Sequence, residues 1–316
     1  MKRALACALA LAAVALPASG CGFGAGETRA SEGSLTVTRD FGAESLGRRR
    51  AAGVSESDTV MRLLQRDFQV GTRYGGRFVQ EIDGVAGGRE GGSRVDWFYY
   101  VNGIEAATGA AERRVSPGDR IWWDHHDWSA TMRVPAVVGS FPEPFASGSE
   151  GRKLPVRLVC LAAGQACDEV ETRLREAGIE DTAKSVLEQS AGREVLRVLV
   201  GPWSQLRRDT AARKLESGPA ASGVYARPDP AGDRIELLDQ RGRGVRTLGR
   251  GGGLLAATEI EGQQPTWMVT GVDATGVSAA AAALAEDELR DHFAIAVEEG
   301  RTLPLPVIAP GQEPAG

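Results

Sequence analysis

The run Trp122-Trp123-Asp124-His125-His126-Asp127-Trp128 gathers two imidazoles and two carboxylates in one short stretch. Imidazole and carboxylate together can ligate a transition metal or move a proton. Neighbouring strand residues point to opposite faces, so only alternate members of this run could converge on one ion. No H-x-H or H-E-x-x-H pair occurs elsewhere, and the run therefore reads as a polar strand end ahead of a metal site. Gly271-Val272-Asp273-Ala274-Thr275-Gly276-Val277-Ser278 imitates the phosphate-binding pattern G-x-x-x-x-G-K-[ST], but Val277 stands where the lysine is needed. An ordinary strand-to-helix turn that hydrolyses no nucleotide is expected there. GRGGG (249–253) lacks dinucleotide spacing and reads as a flexible loop. There is no G-x-S-x-G elbow, and nothing joins His292 to a nucleophile, so no catalytic residue is assigned.

The cysteines point to a compartment. Residues Ala4 to Leu16 form a short apolar run behind Lys2 and Arg3, as in a secretory signal. The run is shorter than the roughly 20 apolar residues a spanning helix needs. It ends in Ala18-Ser19-Gly20-Cys21, which resembles a bacterial lipobox and implies acylation of Cys21; simple cleavage after Gly20 is the alternative. Residues 21–34 would then be a lipid-anchored, Gly/Ser-rich tether. Cys160 and Cys167 remain. In an oxidising compartment they read as a short disulfide, with two free buried thiols as the other reading.

Length and composition limit the rest. The 316 residues allow two or three domains, and 42% hydrophobic with 25% charged residues is ordinary for a globular protein. A net charge of -5 offers no broad positive field for a nucleic-acid backbone, so no nucleic-acid partner is expected.

The elements that must position these groups follow from periodicity. More than half of the aromatic residues lie in residues 35–134, which marks one compact domain. Leu35 and Val37 alternate as a strand, and Val60, Leu63, Leu64 and Phe68 have helical spacing behind a capping stretch at Ser55 to Asp58. RFVQEID (77–83), VDWFYYV (95–101) and DRIWWDH (119–125) read as strands, turned by Asn102-Gly103 and Pro117-Gly118. Residues 139–153, rich in proline and glycine, read as a linker. Beyond it, VRLVCLA (156–162), a helix near 166–177, LRVLVGPW (196–203), a helix from Ser204 to Gly218, and an alanine-rich helix near 276–291 make a second α+β domain over 154–303. Residues 304–316 read as an irregular tail.

The combination GRFVQEIDGVAGG, DWFYYVNG and SPGDRIWWDHHDW resembles a bacterial family of unknown function akin to the C-terminal domain of transcobalamin and intrinsic factor. The resemblance covers residues 35–134. It implies an α+β chain whose N-terminal domain is β-grasp-like, a binding role without catalysis, and cobalamin or another small ligand as the candidate. The sequence shows no helical barrel of the kind that holds cobalamin in the vertebrate carriers. A strand carrying large side chains on both faces could bury one face and leave the other for a flat ligand. The ligand contacts expected on that basis are Trp97, Tyr99, Asn102 and Trp122, with a histidine as a possible ligand to a corrinoid cobalt; burial of both faces is the alternative. LRVLVGPWSQLRRDTAARKLESG (196–218) is faintly similar to half of a sporulation-related repeat that binds peptidoglycan. Two functions are thus in view. One is a lipid-anchored extracytoplasmic binding protein, beside a transporter, needing no cofactor other than a corrinoid ligand. The other is an envelope module that docks on peptidoglycan or a partner protein.

Overall fold

A computed structural model describes residues 33–51, 53–55, 57–161, 164–187 and 194–307. The signal run, Cys21 and the tether up to residue 32, and the tail from residue 308, lie outside the described residues. The chain is α+β, and residues Ser31–Gly316 form one compact unit.

The first half opens with a hairpin, β1 (Ser34–Arg39) and β2 (Glu44–Arg50). Helix α1 (Val60–Asp67) follows, capped by Thr59 Oγ1 on the Arg62 amide. A small sheet comes next, made of β3 (Val70–Arg73), β4 (Phe78–Ile82) and β5 (Val85–Ala86). The chain then runs through β6 (Gly88–Glu90), β7 (Ser93–Val101), β8 (Ile104–Glu105) and β9 (Arg120–Asp127). The main sheet of this half has the order β2-β1-β9-β7-β6, with β8 on β7. Strands β1 and β9 are parallel and the other pairs antiparallel. Asn102 and Gly103 both have positive φ, 55° and 75°, as a two-residue hairpin turn demands.

The second half contains β10 (Val156–Cys160), α2 (Gln165–Glu176), β11 (Thr182–Ser185) and β12 (Leu196–Pro202). Short helical turns follow, α3 (Trp203–Leu206), α4 (Thr210–Arg213), a 3-10 turn (Lys214–Ser217) and α5 (Pro219–Ser222). A three-stranded sheet, β13 (Ala226–Pro228), β14 (Ile235–Leu238) and β15 (Gly244–Leu248), leads to β16 (Gly253–Thr258) and β17 (Thr266–Gly271). Helices α6 (Ala274–Ala282) and α7 (Glu286–Leu289) precede β18 (Ala294–Glu298) and β19 (Arg301–Leu305). The large sheet has the order β11-β10-β12-β17-β16-β18-β19.

Strand periodicity divides this large sheet into two faces. Val156, Leu158, Val198, Val200, Trp267, Val269, Ile295 and Val297 pack under α2 and α6. Val159, Leu199, Met268, Leu254, Ala256, Ala294 and Ala296 face the other way, into a core that also contains Phe41, Tyr100 and Trp122 from the first half. A third core joins α1 to Leu35, Val37, Trp97, Tyr99, Ile121 and Trp123.

Several elements differ from the sequence reading. The single helix expected from Ser204 is broken, because Asp209 accepts hydrogen bonds from the Ala211 and Ala212 amides and starts a new turn. The helix near 276–291 is two pieces. Residues 304 and 305, expected in an irregular tail, end edge strand β19, where Pro304 stands opposite Ile295. The stretch expected as a linker carries buried Phe141 and Phe145 into the core under α6. Just before it, Ala136 and Val138 enter that core while Val137 enters the shared one. Gly139 lies so close to the chain at Asp291–His292 that a Cβ there would stand 2.7 Å from the His292 nitrogen.

Candidate functional site

The acid and imidazole groups of β9 lie where the sheet of the first half meets the second half. Residues Asp40, Phe41 and Gly42, just after β1, have φ of 57°, 60° and 84°. That run turns two successive amides toward one point, a small anion-binding nest. The anion is the protein's own Asp124. Its carboxylate accepts from Phe41 N at 3.1 Å, Gly42 N at 2.9 Å, Thr38 Oγ1 at 2.5 Å and His126 Nδ1 at 2.8 Å. Thr38 Oγ1 in turn accepts from Trp122 Nε1 at 2.7 Å.

Asp124 has no exposed surface, so its lone pairs are spent inside the fold. The His126 ring stacks on Phe98 with centroids 4.5 Å apart and leans on Phe41 at 4.5 Å. Phe293 from the second half meets it edge-on at 5.4 Å. Both members of this Asp–His pair are buried, so their contacts are with the protein itself.

His125 points to the other face, beside Trp97 at 5.1 Å, and its Nε2 has no partner among the described residues. Burial holds its imidazole below the ordinary value, favouring the neutral ring. Both histidines are buried, so neither is the exposed cobalt ligand that a corrinoid site would use. Among the described residues no three His, Cys, Asp or Glu side chains are grouped to hold a metal ion.

The four expected ligand contacts do not converge. Cross-strand register pairs Tyr99 with Trp123 and Tyr100 with Trp122, so Trp122 lies on the opposite face from Trp97 and Tyr99. All four are buried, at 4%, 9%, 2% and 3% exposure for Trp97, Tyr99, Asn102 and Trp122. Each also has a partner inside the protein. Trp97 Nε1 donates to the Val85 carbonyl and Tyr99 Oη to that of Thr108. Asn102 Nδ2 donates to Asp119 Oδ1 and to the Gly148 carbonyl, while its Oδ1 accepts from the Arg120 amide. The open aromatic pocket expected here is therefore not formed, because the two halves cover both faces of β7 and β9.

The residues that seal the outer face were missed by the sequence reading. Phe293 stands 5.1 Å from Phe41, 5.6 Å from Tyr100 and 5.1 Å from Trp122. Tyr225 stands 5.0 Å from Phe41. The Tyr100 and Tyr225 hydroxyls have no protein partner among the described residues, and burial raises both well above the usual phenol value. Around this seal run polar links. Arg120 Nη1 bonds Glu286 at 2.8 Å, Arg48 pairs with Asp291, and the Val138 amide donates to the Phe293 carbonyl at 3.1 Å. No local signal marks Phe293 or Tyr225, which lie far along the chain beyond β9.

Residues 57–127 match a domain of unknown function, DUF4430. The match runs from just before α1 to the end of β9 and leaves out the β1–β2 hairpin, although that hairpin supplies the Asp124 nest. No curated protein matches the chain. A solved structure of a "putative metal binding protein" from Ruminococcus gnavus aligns over 97% of its own length and 31% of this chain, with 14% identity and a TM-score of 0.24. At that TM-score the likeness carries no statement about fold or ligand here.

Elsewhere, Cys160 at the end of β10 and Cys167 in the first turn of α2 form a disulfide with Cα atoms 5.9 Å apart. The loop after β17 is a capped helix start. Asp273 accepts from the Gly276 amide, and Val277, on α6 itself, is buried in the core rather than facing a phosphate site.

Proposed function

We propose that the chain is a lipid-anchored, extracytoplasmic, non-catalytic docking module of the bacterial envelope. Its DUF4430 segment, together with β1 and β2, is a β-grasp-like sheet welded to a second α+β layer. The observation that carries this reading is the sealed outer face of β7 and β9. A receptor that held a corrinoid against Trp97, Tyr99 and Trp122 needs those rings on one open face, and Phe293 occupies the space beside Trp122. What is left for recognition is the molecule's outer surface, which suits a macromolecular partner or a membrane better than an enclosed small molecule.

The extracytoplasmic part of the reading rests on the signal run, on Cys21 and on the compatibility of a disulfide with export. Among the described residues no helix is long and apolar enough to cross a membrane, so attachment would come through acylation. Metabolic labelling with a fatty acid is expected to mark the wild type and leave Cys21→Ser unmarked. Equal labelling of both chains would remove the anchor from the proposal.

A further inference from the structure

At the tip of the β3–β4 hairpin the chain reads Arg73-Tyr74-Gly75-Gly76-Arg77. Tyr74 is 80% exposed, more than any other large hydrophobic residue described. It holds φ at 53°, an unusual conformation for a bulky side chain away from glycine, asparagine or aspartate. Its ring meets Phe78 edge-on, with centroids 6.3 Å apart. Arg73 and Arg77 are both exposed; Arg73 lies near enough to Asp96 to favour its charged form, but neither guanidinium is in contact with a carboxylate among the described residues. A Cβ built on Gly75 or Gly76 would meet nothing within 4 Å, so the tip projects into open space.

From this we infer that the hairpin tip is a membrane contact, with Tyr74 seated at the headgroup level of an anionic bilayer and Arg73 and Arg77 on lipid phosphates. A tyrosine ring with an apolar body and a polar end suits that interface, and two exposed guanidinium groups supply complementary charge. A projecting tip also fits a plane better than a polymer strand, which calls for a groove or a platform.

The anchor would supply the proximity such a contact needs, because residues 22–32 separate Cys21 from the described fold. If Cys21 is acylated, as proposed above, those eleven residues keep the domain within about 40 Å of the bilayer.

The test leaves the anchor out, so that failure of acylation and failure of this contact are told apart. Residues 31–316 hold all three cores as one compact unit and contain only Cys160 and Cys167, which are bridged. This chain should float with vesicles of equal phosphatidylglycerol and phosphatidylcholine and remain behind with phosphatidylcholine alone. Tyr74→Ala and the pair Arg73→Glu with Arg77→Glu should each weaken flotation about tenfold or more, with unchanged thermal melts. A fluorophore on Tyr74→Cys, then the one free thiol, should shift to the blue with the anionic vesicles. Equal flotation of wild type and variants would overturn the inference, as would no flotation at all or an unshifted fluorophore. Retention on isolated anionic wall polysaccharide without vesicle binding would likewise overturn it in favour of a polymer partner.

Discussion

Phe293→Ala is expected to destabilise the protein by about 3–5 kcal/mol, the range for removing a buried aromatic side chain whose cavity cannot collapse. Phe293 touches Phe41, Tyr100, Trp122 and His126 at once, and these four sit on β7, β9 and the loop after β1. Rigid strands on one side and β18 on the other give the neighbours little freedom to close the gap. The core that contains Phe293 spans both halves, so the loss should lower one unfolding transition rather than split it in two. Urea denaturation followed by tryptophan fluorescence and by circular dichroism measures this. A cost below about 1 kcal/mol, or a separate early transition of the first half alone, would show that the halves are joined only loosely.

Asp124→Ala should cost on the order of 4 kcal/mol by a different route. The methyl group would leave the Phe41 and Gly42 amides, the Thr38 hydroxyl and His126 Nδ1 without their acceptor in a site closed to water. A buried donor stripped of its partner costs about 1–3 kcal/mol, and relaxation of the nest keeps the total below a simple sum. Asp124→Asn keeps the shape and one acceptor oxygen, and is expected to recover about half of the loss. If Asp124→Ala melts like the wild type, the carboxylate is not the hub that its four contacts make it.

The two histidines and the aromatic strands of the first half were legible as elements because β7 and β9 alternate and are punctuated by Asn102-Gly103 and Pro117-Gly118. Alternation places Trp97 and Tyr99 on one face of β7 and Phe98 and Tyr100 on the other. It could not tell that both faces are covered, since a strand buried twice and a strand exposed once can carry the same residues. Strand β16 escaped notice for a related reason. Leu254, Leu255, Ala256 and Ala257 are all buried, so they show no polar alternation, and the glycines ahead of them look like loop. Edge strand β2 was hidden by the opposite composition, with Arg48 to Arg50 exposed and Leu46 as its single apolar residue, too little to set a period. The nest had a faint local sign in Asp40-Phe41-Gly42, a turn-like tripeptide. Its anion lies over eighty residues away, and only the fold brings the two together.

Whether β7 and β9 are architecture or a ligand surface is decided most directly by calorimetric titration of the purified protein with hydroxocobalamin, alongside Trp122→Phe, which keeps an aromatic ring and removes the indole N–H. With Trp122, Tyr100 and His126 closed in by Phe293, no saturable heat is predicted at micromolar corrinoid for either chain. Micromolar binding by the wild type that Trp122→Phe loses while remaining folded would contradict the sealed junction and restore the receptor reading.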